Sequence, residues 1–309
     1  MSRFLLAGVP RSGTSWTAKA LSCAAGVRYA NEPDGFRDAY AFRVMMRHGE
    51  NPRINALDDA PDYERLWAGA FAGNLPPRGV RGWIAARSYG RAGTAARQRA
   101  RAGDGTGVLL HVASSFARPP TSDPKASHVL AKSVQCARSI EWIYEKFAPT
   151  VLVLSRNPFN TLASWRDLDY VRNAREHASI ASYALEQFGV TSPDHDASQL
   201  TQQAFVFAVL QSALRRATAN HPEWIVASHD DLCVDAPTRV RQLAERLGLE
   251  WTEQADRFLR DSERSGAGYA TNRMTREQPD RWRERLSPGD VDTIRSVLAD
   301  FPEWTNTDF

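Results

Sequence analysis

A cation and several hydroxyl groups lie near the start of the chain, in and just after a loop bounded by two glycines. The glycines are Gly8 and Gly13, and the polar groups belong to Arg11, Ser12, Thr14 and Ser15. The apolar run before the loop predicts a buried strand, and residues 14–25 after the loop predict a helix. Backbone N–H groups at such a junction converge on one point, where the helix dipole favours negative charge. The pattern therefore predicts an anion site.

The spacing of the two glycines fits the phosphate loop G-x-x-x-x-G, but the residues that follow do not complete it. A nucleoside triphosphatase has Lys next, for the terminal phosphates, and then Ser or Thr for magnesium. Here Thr14 takes the place of that Lys, and the cation is Arg11 inside the loop. A kinase or other nucleotide-binding enzyme of this kind therefore stays an alternative, as does a tight turn whose glycines serve packing.

Two more cations follow apolar runs later in the chain. Lys132 follows residues 128–131, and Arg156 follows residues 151–154. Ligands of open parallel sheets bind beyond the carboxyl ends of the strands. Pro158 suits the first turn of a helix that carries Ser164, so Arg156 and Ser164 could hold a phosphate together. A surface lysine that extends its ammonium into water is the alternative for Lys132.

The order of apolar runs and helical segments predicts the fold class. Strands are expected at residues 4–7, 27–30, 108–112, 128–131, 151–154 and 224–227. Strands that alternate with helices indicate an α/β fold in which a parallel sheet of about five strands is flanked by helices. Residues 36–75 are expected to be mainly helical, and the Arg- and Gly-rich residues 76–107 to be a loop, a helix pair or a cover over the substrate. No long linker is visible, so we expect a single domain over residues 1–309.

Composition restricts the function classes. A net charge of +3 with a pI near 8.8 suits an anionic ligand but is too small to indicate nucleic acid. The cysteines, Cys23, Cys136 and Cys233, form no pair or metal-ligand spacing, so we expect no metal and a cytoplasmic, reduced protein. The first apolar run is too short for a signal peptide or membrane anchor, so no membrane insertion is expected.

The loop and the Arg-x-Pro segment together resemble a known family. Pro10-Arg11-Ser12-Gly13-Thr14-Ser15-Trp16 is similar to the 5′-phosphosulfate loop of sulfotransferases that use 3′-phosphoadenosine 5′-phosphosulfate (PAPS), and Arg156 with Ser164 resembles their 3′-phosphate motif. The resemblance implies a P-loop nucleotide-hydrolase-like fold and sulfuryl transfer to a hydroxyl of an acceptor, expected to be a small molecule or metabolite. The residues it assigns to PAPS are Arg11, Ser12, Gly13, Thr14, Ser15, Trp16, Arg156 and Ser164, with Trp16 stacked on adenine.

The resemblance also implies catalytic roles for Arg11, Lys132 and Glu32. Glu32 lies 21 residues beyond Arg11, the spacing of the catalytic base in tyrosylprotein sulfotransferases, and Pro33 is expected to hold it in extended backbone or a turn. Lys132 resembles the family Lys that reaches the sulfuryl group, although Lys-Ser-Val replaces the usual Lys-Asp-Pro. Cytosolic members use His as base, so His111 remains an alternative; His128 begins its strand and is placed at the wrong end.

The C-terminal third carries weaker similarities. His229-Asp230-Asp231-Leu232 resembles the family segment Tyr-Glu-Asp-Leu, whose aromatic residue contacts the nucleotide. Arg273 and Arg276 are candidates for the basic segment that closes over the 3′-phosphate, but the family's pair of glycines is absent. A non-catalytic anion-binding scaffold with the same fold also remains open, and the lack of turnover with a broad acceptor panel would distinguish it.

Overall fold

Five parallel strands form one sheet with the order β2-β3-β1-β4-β5. The computed structural model describes residues 1–35, 38–73, 80, 127–170, 174–264 and 274–304. The strands are β1 (Ser2–Ala7), β2 (Val27–Asn31), β3 (His128–Ser133), β4 (Thr150–Ser155) and β5 (Ile225–Ser228). The predicted α/β class with about five parallel strands is confirmed.

Helices connect and flank these strands. They are α1 (Thr14–Leu21), α2 (Ala39–His48), α3 (Pro61–Phe71), α4 (Ile140–Phe147), α5 (Pro158–Asp167), α6 (Ala174–Phe188), α7 (Gln199–Asn220), α8 (His229–Val234), α9 (Ala236–Arg246), α10 (Glu253–Ser262) and α11 (Pro288–Ala299). Short 3₁₀ turns span Cys136–Arg138, Thr275–Glu277, Arg281–Glu284 and Pro302–Trp304. Within the described residues no helix combines the length and apolar character needed to cross a membrane.

The strand predictions and the observed strands agree closely. β2 and β3 are paired in register from Val27 with His128 to Asn31 with Lys132. β4 and β5 are paired from Leu152 with Ile225 onwards. The interior residues of β1, β3 and β4 are almost fully buried, as expected for runs of apolar residues in a parallel sheet. The strand predicted at residues 108–112 lies outside the described residues.

The residues group into two compact units. The first takes residues 1–6, 26–151 and 172–176, and the second takes residues 7–25, 152–171 and 177–309. The single domain over residues 1–309 stays a prediction.

Each unit has an aromatic core. In the first unit Trp67, Tyr63 and Trp142 are fully buried, and the ring centroids of Tyr63 and Trp142 are 5.4 Å apart. In the second unit α7 is buried over much of its surface, and the ring of Phe207 on this helix lies 5.9 Å from that of Trp304. Residues 203–214 of α7 are all buried, so neighbouring elements cover this part of the helix on every side.

Candidate functional site

The predicted anion loop lies in the second unit and has an unusual backbone. Arg11 has φ of 72° and Gly13 has φ of 86°, both in the left-handed region. The buried hydroxyl of Ser12 donates to the carbonyl of Val9 at 2.7 Å, which holds the loop in a tight turn. A Cβ on Gly8 would lie 2.6 Å from Ser12 Oγ and 2.7 Å from the Leu154 carbonyl, so only glycine fits there.

Helix α1 begins at this loop, and no side chain caps its first backbone N–H groups. Gly13 is the N-cap residue, no side chain caps the helix, and the first turn contains no acidic residue. The first N–H groups of an α-helix have no partner inside the helix. The geometry predicted from the two glycines is therefore present, with helix donors and dipole directed at the loop.

Three predicted ligand residues meet at this loop although they are far apart in sequence. The Nε of Arg11 donates to Ser164 Oγ at 2.9 Å, across 153 residues. One guanidinium nitrogen of Arg156 donates to the carbonyl of Arg11 at 3.0 Å, across 145 residues. The loop cation, the cation after β4 and the hydroxyl on α5 thus form one cluster at the start of α1.

The electrostatics of this cluster favour an anion. Burial lowers the pKa of Arg156 to about 10, and the nearby charge of Arg11 acts in the same direction, whereas Asp230 opposes both. The Nε of Arg156 is buried and has no hydrogen-bond partner within the described part of the chain. Two like charges beside the positive end of a helix are unfavourable unless a negative group joins them.

Asn160 and Gln278 complete the surroundings of Arg156. Asn160, which is fully buried on α5, donates to Asp230 Oδ1 at 3.3 Å and to the carbonyl of Pro279 at 2.7 Å. Gln278 Oε1 lies 3.5 Å from the second terminal nitrogen of Arg156. Asn160 therefore holds the segment that presents Gln278 to Arg156. Neither residue was predicted from the sequence, since uncharged amides carry no signal of their own.

His229 lies directly behind the loop. Its ring is buried, and a Cβ on Gly13 would lie only 1.9 Å from His229 Cδ2. The ring is edge-on to that of Trp16, with centroids 5.8 Å apart, and the indole N–H of Trp16 donates to Ser262 Oγ at 3.0 Å. Burial holds the pKa of His229 well below its usual value, and the charge of Arg156 adds to this, so the ring is neutral.

The first unit contains a second group of predicted residues, at the ends of β2 and β3. Lys132 and Glu32 form an ion pair, in which the Lys132 side chain is 1% exposed and that of Glu32 is 35% exposed. The backbone N–H of Glu32 also donates to the Lys132 carbonyl at 2.7 Å. Because an unpaired buried ammonium is costly, the carboxylate is what allows Lys132 to be buried. Lys132 is therefore not the water-exposed surface lysine of the alternative reading.

The backbone at Glu32 forms a turn, which is one of the two conformations expected from Pro33. Glu32 has φ of 47°, in the left-handed region, and Gly35 N–H donates to its carbonyl at 3.0 Å. This hydrogen bond and the ion pair with Lys132 hold the turn at residues 32–35. Non-glycine residues in this region concentrate at functional sites.

Asp34 lies beside this pair and was not predicted. Its carboxylate accepts the hydroxyl of Ser133 at 2.9 and 2.7 Å. Burial raises the pKa of Asp34 to about 7, although the hydrogen bond from Ser133 lowers it. The only signal in the sequence was a second carboxylate two residues after Glu32.

Arg276 and His128 are the remaining predicted residues that the structure describes. Arg276 lies on the 3₁₀ turn Thr275–Glu277 and is exposed. His128 begins β3, as predicted, and its ring lies 6.1 Å from that of Phe4. Arg273, His111 and, apart from Val80, residues 76–107 lie outside the described residues. Among the residues described, no group of three His, Cys, Asp or Glu could hold a metal ion.

Comparison with solved structures identifies the fold. The chain matches the sulfotransferase domain from the curacin biosynthetic pathway with a TM-score of 0.50 and 11% identity, over 96% of this chain and 97% of that one. Mouse sulfotransferase SULT7A1 complexed with PAP gives a TM-score of 0.44 at 11% identity over 99% and 86% of the two chains. STF9 from Mycobacterium avium gives 0.41 at 13% over 99% and 77%. The match to the curacin-pathway domain shows that the chain has a sulfotransferase fold.

Comparison of the sequence itself gives no further assignment. No family model matches the chain, and no curated protein matches it either.

Proposed function

We propose that the protein transfers the sulfuryl group of PAPS to a hydroxyl group of an acceptor. The observation that carries the proposal is the meeting of Arg11, Arg156 and Ser164 at the uncapped start of α1. These residues match the two phosphate-binding motifs of PAPS-dependent enzymes, and their arrangement favours anionic groups.

The chemistry of the cluster fits PAPS better than a nucleoside triphosphate with magnesium. PAPS carries one anionic group at the 5′ side and another at the 3′ position. Arg11 and the N–H groups of α1 suit the first, and Arg156 with Ser164 suits the second, since a guanidinium can bind phosphate with two parallel hydrogen bonds. Thr14, which is buried, replaces the Lys that would bind terminal phosphates.

The catalytic roles are assigned by residue type and position in the chain. The carboxylate of Glu32 takes the proton of the acceptor hydroxyl, whose oxygen forms a bond to sulfur. The bond between sulfur and the bridging 5′-phosphate oxygen breaks, and 3′,5′-adenosine bisphosphate leaves with that electron pair. Lys132 and Arg11 stabilise negative charge on the transferring and leaving groups. The side chains supply the positive charge in this scheme, without a metal.

The burial of Lys132 supports its assignment. A lysine placed for solubility extends into water, whereas this side chain is 1% exposed and ion-paired with Glu32. Breaking a buried pair costs more than it would at the surface. The protein therefore keeps a carboxylate and an ammonium together at a strand end, where ligands of parallel sheets bind.

The three cysteines are free thiols. Free thiols fit a reducing compartment, so the proposal includes a cytoplasmic location.

Calorimetric titration tests the nucleotide site. We expect 3′,5′-adenosine bisphosphate to bind without magnesium, and ATP with magnesium to bind much more weakly. Arg156→Ala should weaken the bisphosphate by about 10- to 100-fold, the loss expected for charge-assisted hydrogen bonds, and should affect adenosine 5′-phosphosulfate far less. The matched control is Arg241→Ala, because that arginine pairs with Asp256 instead. Equal losses for both ligands would show that Arg156 does not hold the 3′-phosphate.

Turnover tests the reaction. Purified protein is incubated with PAPS labelled in the sulfuryl group and a panel of hydroxylated metabolites, and transfer to each acceptor is measured. Label transferred without added metal supports the proposal. Binding of the bisphosphate without transfer to any acceptor would favour the scaffold, and transfer of phosphate from ATP would favour a kinase.

A further inference from the structure

We propose that Asp34 and Ser133 are positioning residues for the Glu32–Lys132 pair, and that the ionised carboxylate of Asp34 holds the turn after β2 against the turn after β3. This inference rests on the proposed function for its catalytic meaning. The contacts themselves are independent of that function.

Ser133 is the centre of the arrangement. Its buried Oγ accepts the backbone N–H of Gln135 at 3.0 Å and that of Cys136 at 3.2 Å. A hydroxyl has two lone pairs and one proton. Both lone pairs are occupied, so the proton is left to donate, and it faces the two oxygens of Asp34 at 2.9 and 2.7 Å.

The hydrogen bond from Ser133 favours the ionised form of Asp34, in opposition to the burial that raises the pKa of this carboxyl. A carboxylate can share the Ser133 proton between its two oxygens, which lie at 2.9 and 2.7 Å. A protonated Asp34 would keep one good acceptor, and its own O–H would find no free lone pair on Ser133. The hydroxyl contact is therefore strongest when Asp34 carries its charge.

The contact between Asp34 and Ser133 affects the Glu32–Lys132 pair because both pairs join the same two segments, at the ends of β2 and β3. Glu32 and Asp34 lie on the turn after β2, and Lys132 and Ser133 end β3. Glu32 is joined to Lys132 by the ion pair and by the backbone hydrogen bond of 2.7 Å. The Asp34–Ser133 bond is a second connection between the same two segments, so it limits the freedom of the turn that carries Glu32.

The surroundings make the charge of Asp34 sensitive to pH in the working range. Burial raises its pKa to about 7, the negative charge of Glu32 acts in the same direction, and the positive charge of Lys132 opposes it. Tyr63 on α3 and Cys136 also face Asp34, and burial raises the pKa of both, so they stay neutral. Acidification through about pH 7 should therefore protonate Asp34 and loosen the connection.

Amide hydrogen exchange followed by NMR tests the connection without any turnover. Ser133→Ala should accelerate exchange of the Glu32 amide by about ten-fold, the loss expected for a hydrogen bond to a charged group, whereas the Leu5 amide in β1 should be unchanged. Ser139→Ala is the matched control, because it removes a buried hydroxyl that contacts Tyr63 at 3.0 Å instead. An unchanged Glu32 amide in Ser133→Ala would overturn the inference whether or not the protein transfers sulfuryl groups.

The pH profile of kcat/KM separates positioning from simple structural support. The wild type should lose activity as the pH falls through about 7. Ser133→Ala should move that loss to higher pH, because its hydroxyl stabilises the charged form. Ser133→Thr, which keeps the hydroxyl, should restore the wild-type position. Asp34→Asn should be about ten-fold slower at pH 8 and lack the acidic loss.

The tests of the positioning role can fail independently of the tests of sulfuryl transfer. Transfer by the wild type together with an identical pH profile in Asp34→Asn would refute the positioning role and leave the sulfuryl transfer intact. Absence of transfer by the wild type would refute the proposed function, and the exchange experiment would still decide whether Asp34 and Ser133 hold the Glu32 turn.

Discussion

Asp34 should make the folded protein less stable as the pH rises from acid to neutral. Burial raises its pKa from an ordinary value of 3.8 to about 7. Between these pH values the folded protein holds a proton that the unfolded chain has already released. The unfolded state therefore binds fewer protons, and the free energy of unfolding falls with increasing pH. The loss is complete above about pH 7, where both states are ionised.

The size of the change in unfolding free energy follows from the change in the pKa of Asp34. Each unit of pKa corresponds to about 1.4 kcal/mol, so about three units correspond to about 4 kcal/mol between pH 4 and pH 8. Since domains are stable by roughly 5–15 kcal/mol, this single carboxyl should be visible in an unfolding curve. In the Asp34→Asn variant the new side chain has nearly the same shape as the carboxyl but cannot ionise. Its free energy of unfolding relative to the wild type should therefore rise by about 4 kcal/mol over the same range.

Urea unfolding followed by far-UV circular dichroism at pH 4.5, 6 and 8 measures the difference. The control is Asp292→Asn, because the Asp292 side chain is 77% exposed and its substitution should leave a curve parallel to the wild type. The reasoning is refuted if the difference between Asp34→Asn and the wild type stays constant from pH 4.5 to pH 8.

Three further changes probe the two clusters. Glu32→Gln should lower kcat by about two to four orders of magnitude, the range of general base catalysis, with unchanged affinity for 3′,5′-adenosine bisphosphate; an active variant would place the base elsewhere. Arg11→Ala should abolish most PAPS-dependent transfer, and Arg11→Lys should keep part of it, since Lys retains the charge but not the Nε–H that reaches Ser164; wild-type kcat/KM in Arg11→Ala would contradict this. Gly13→Ala should lower both the melting temperature and the bisphosphate affinity, because φ is 86° and the new Cβ would meet His229; wild-type binding would argue against that loop geometry.

Much of the fold could be predicted because its signals are local. Short apolar runs indicated β1, β3, β4 and β5, the last at residues 224–227 against Ile225–Ser228, and β2 was expected at residues 27–30 after the first helix. Loop glycines and Pro158 marked the starts of α1 and α5. The predicted helix over residues 14–25 was too long, since α1 ends at Leu21. Helix ends depend on which backbone groups find partners outside the helix, and this is not a local property.

The chemical groups that follow the strands could be recognised from local sequence. Arg11, Lys132 and Arg156 were identified by type and by their place after apolar runs, because a strand and the loop after it are written in consecutive residues, and Glu32 was identified by its spacing from Arg11 in the family resemblance. Their protonation and their neighbours were not determined in this way. Glu32 was expected in extended backbone or a turn from Pro33 alone, and the structure has it in a left-handed turn.

Which of these groups meet depends on the tertiary structure. Arg11 and Ser164 are 153 residues apart, Lys132 and Glu32 are 100 apart, and Ser133 and Asp34 are 99 apart. No local pattern encodes such pairs, because the order of strands in a sheet results from the packing of the whole chain. Burial follows from that packing as well, and it is burial that pairs Lys132 with a carboxylate and raises the pKa of Asp34.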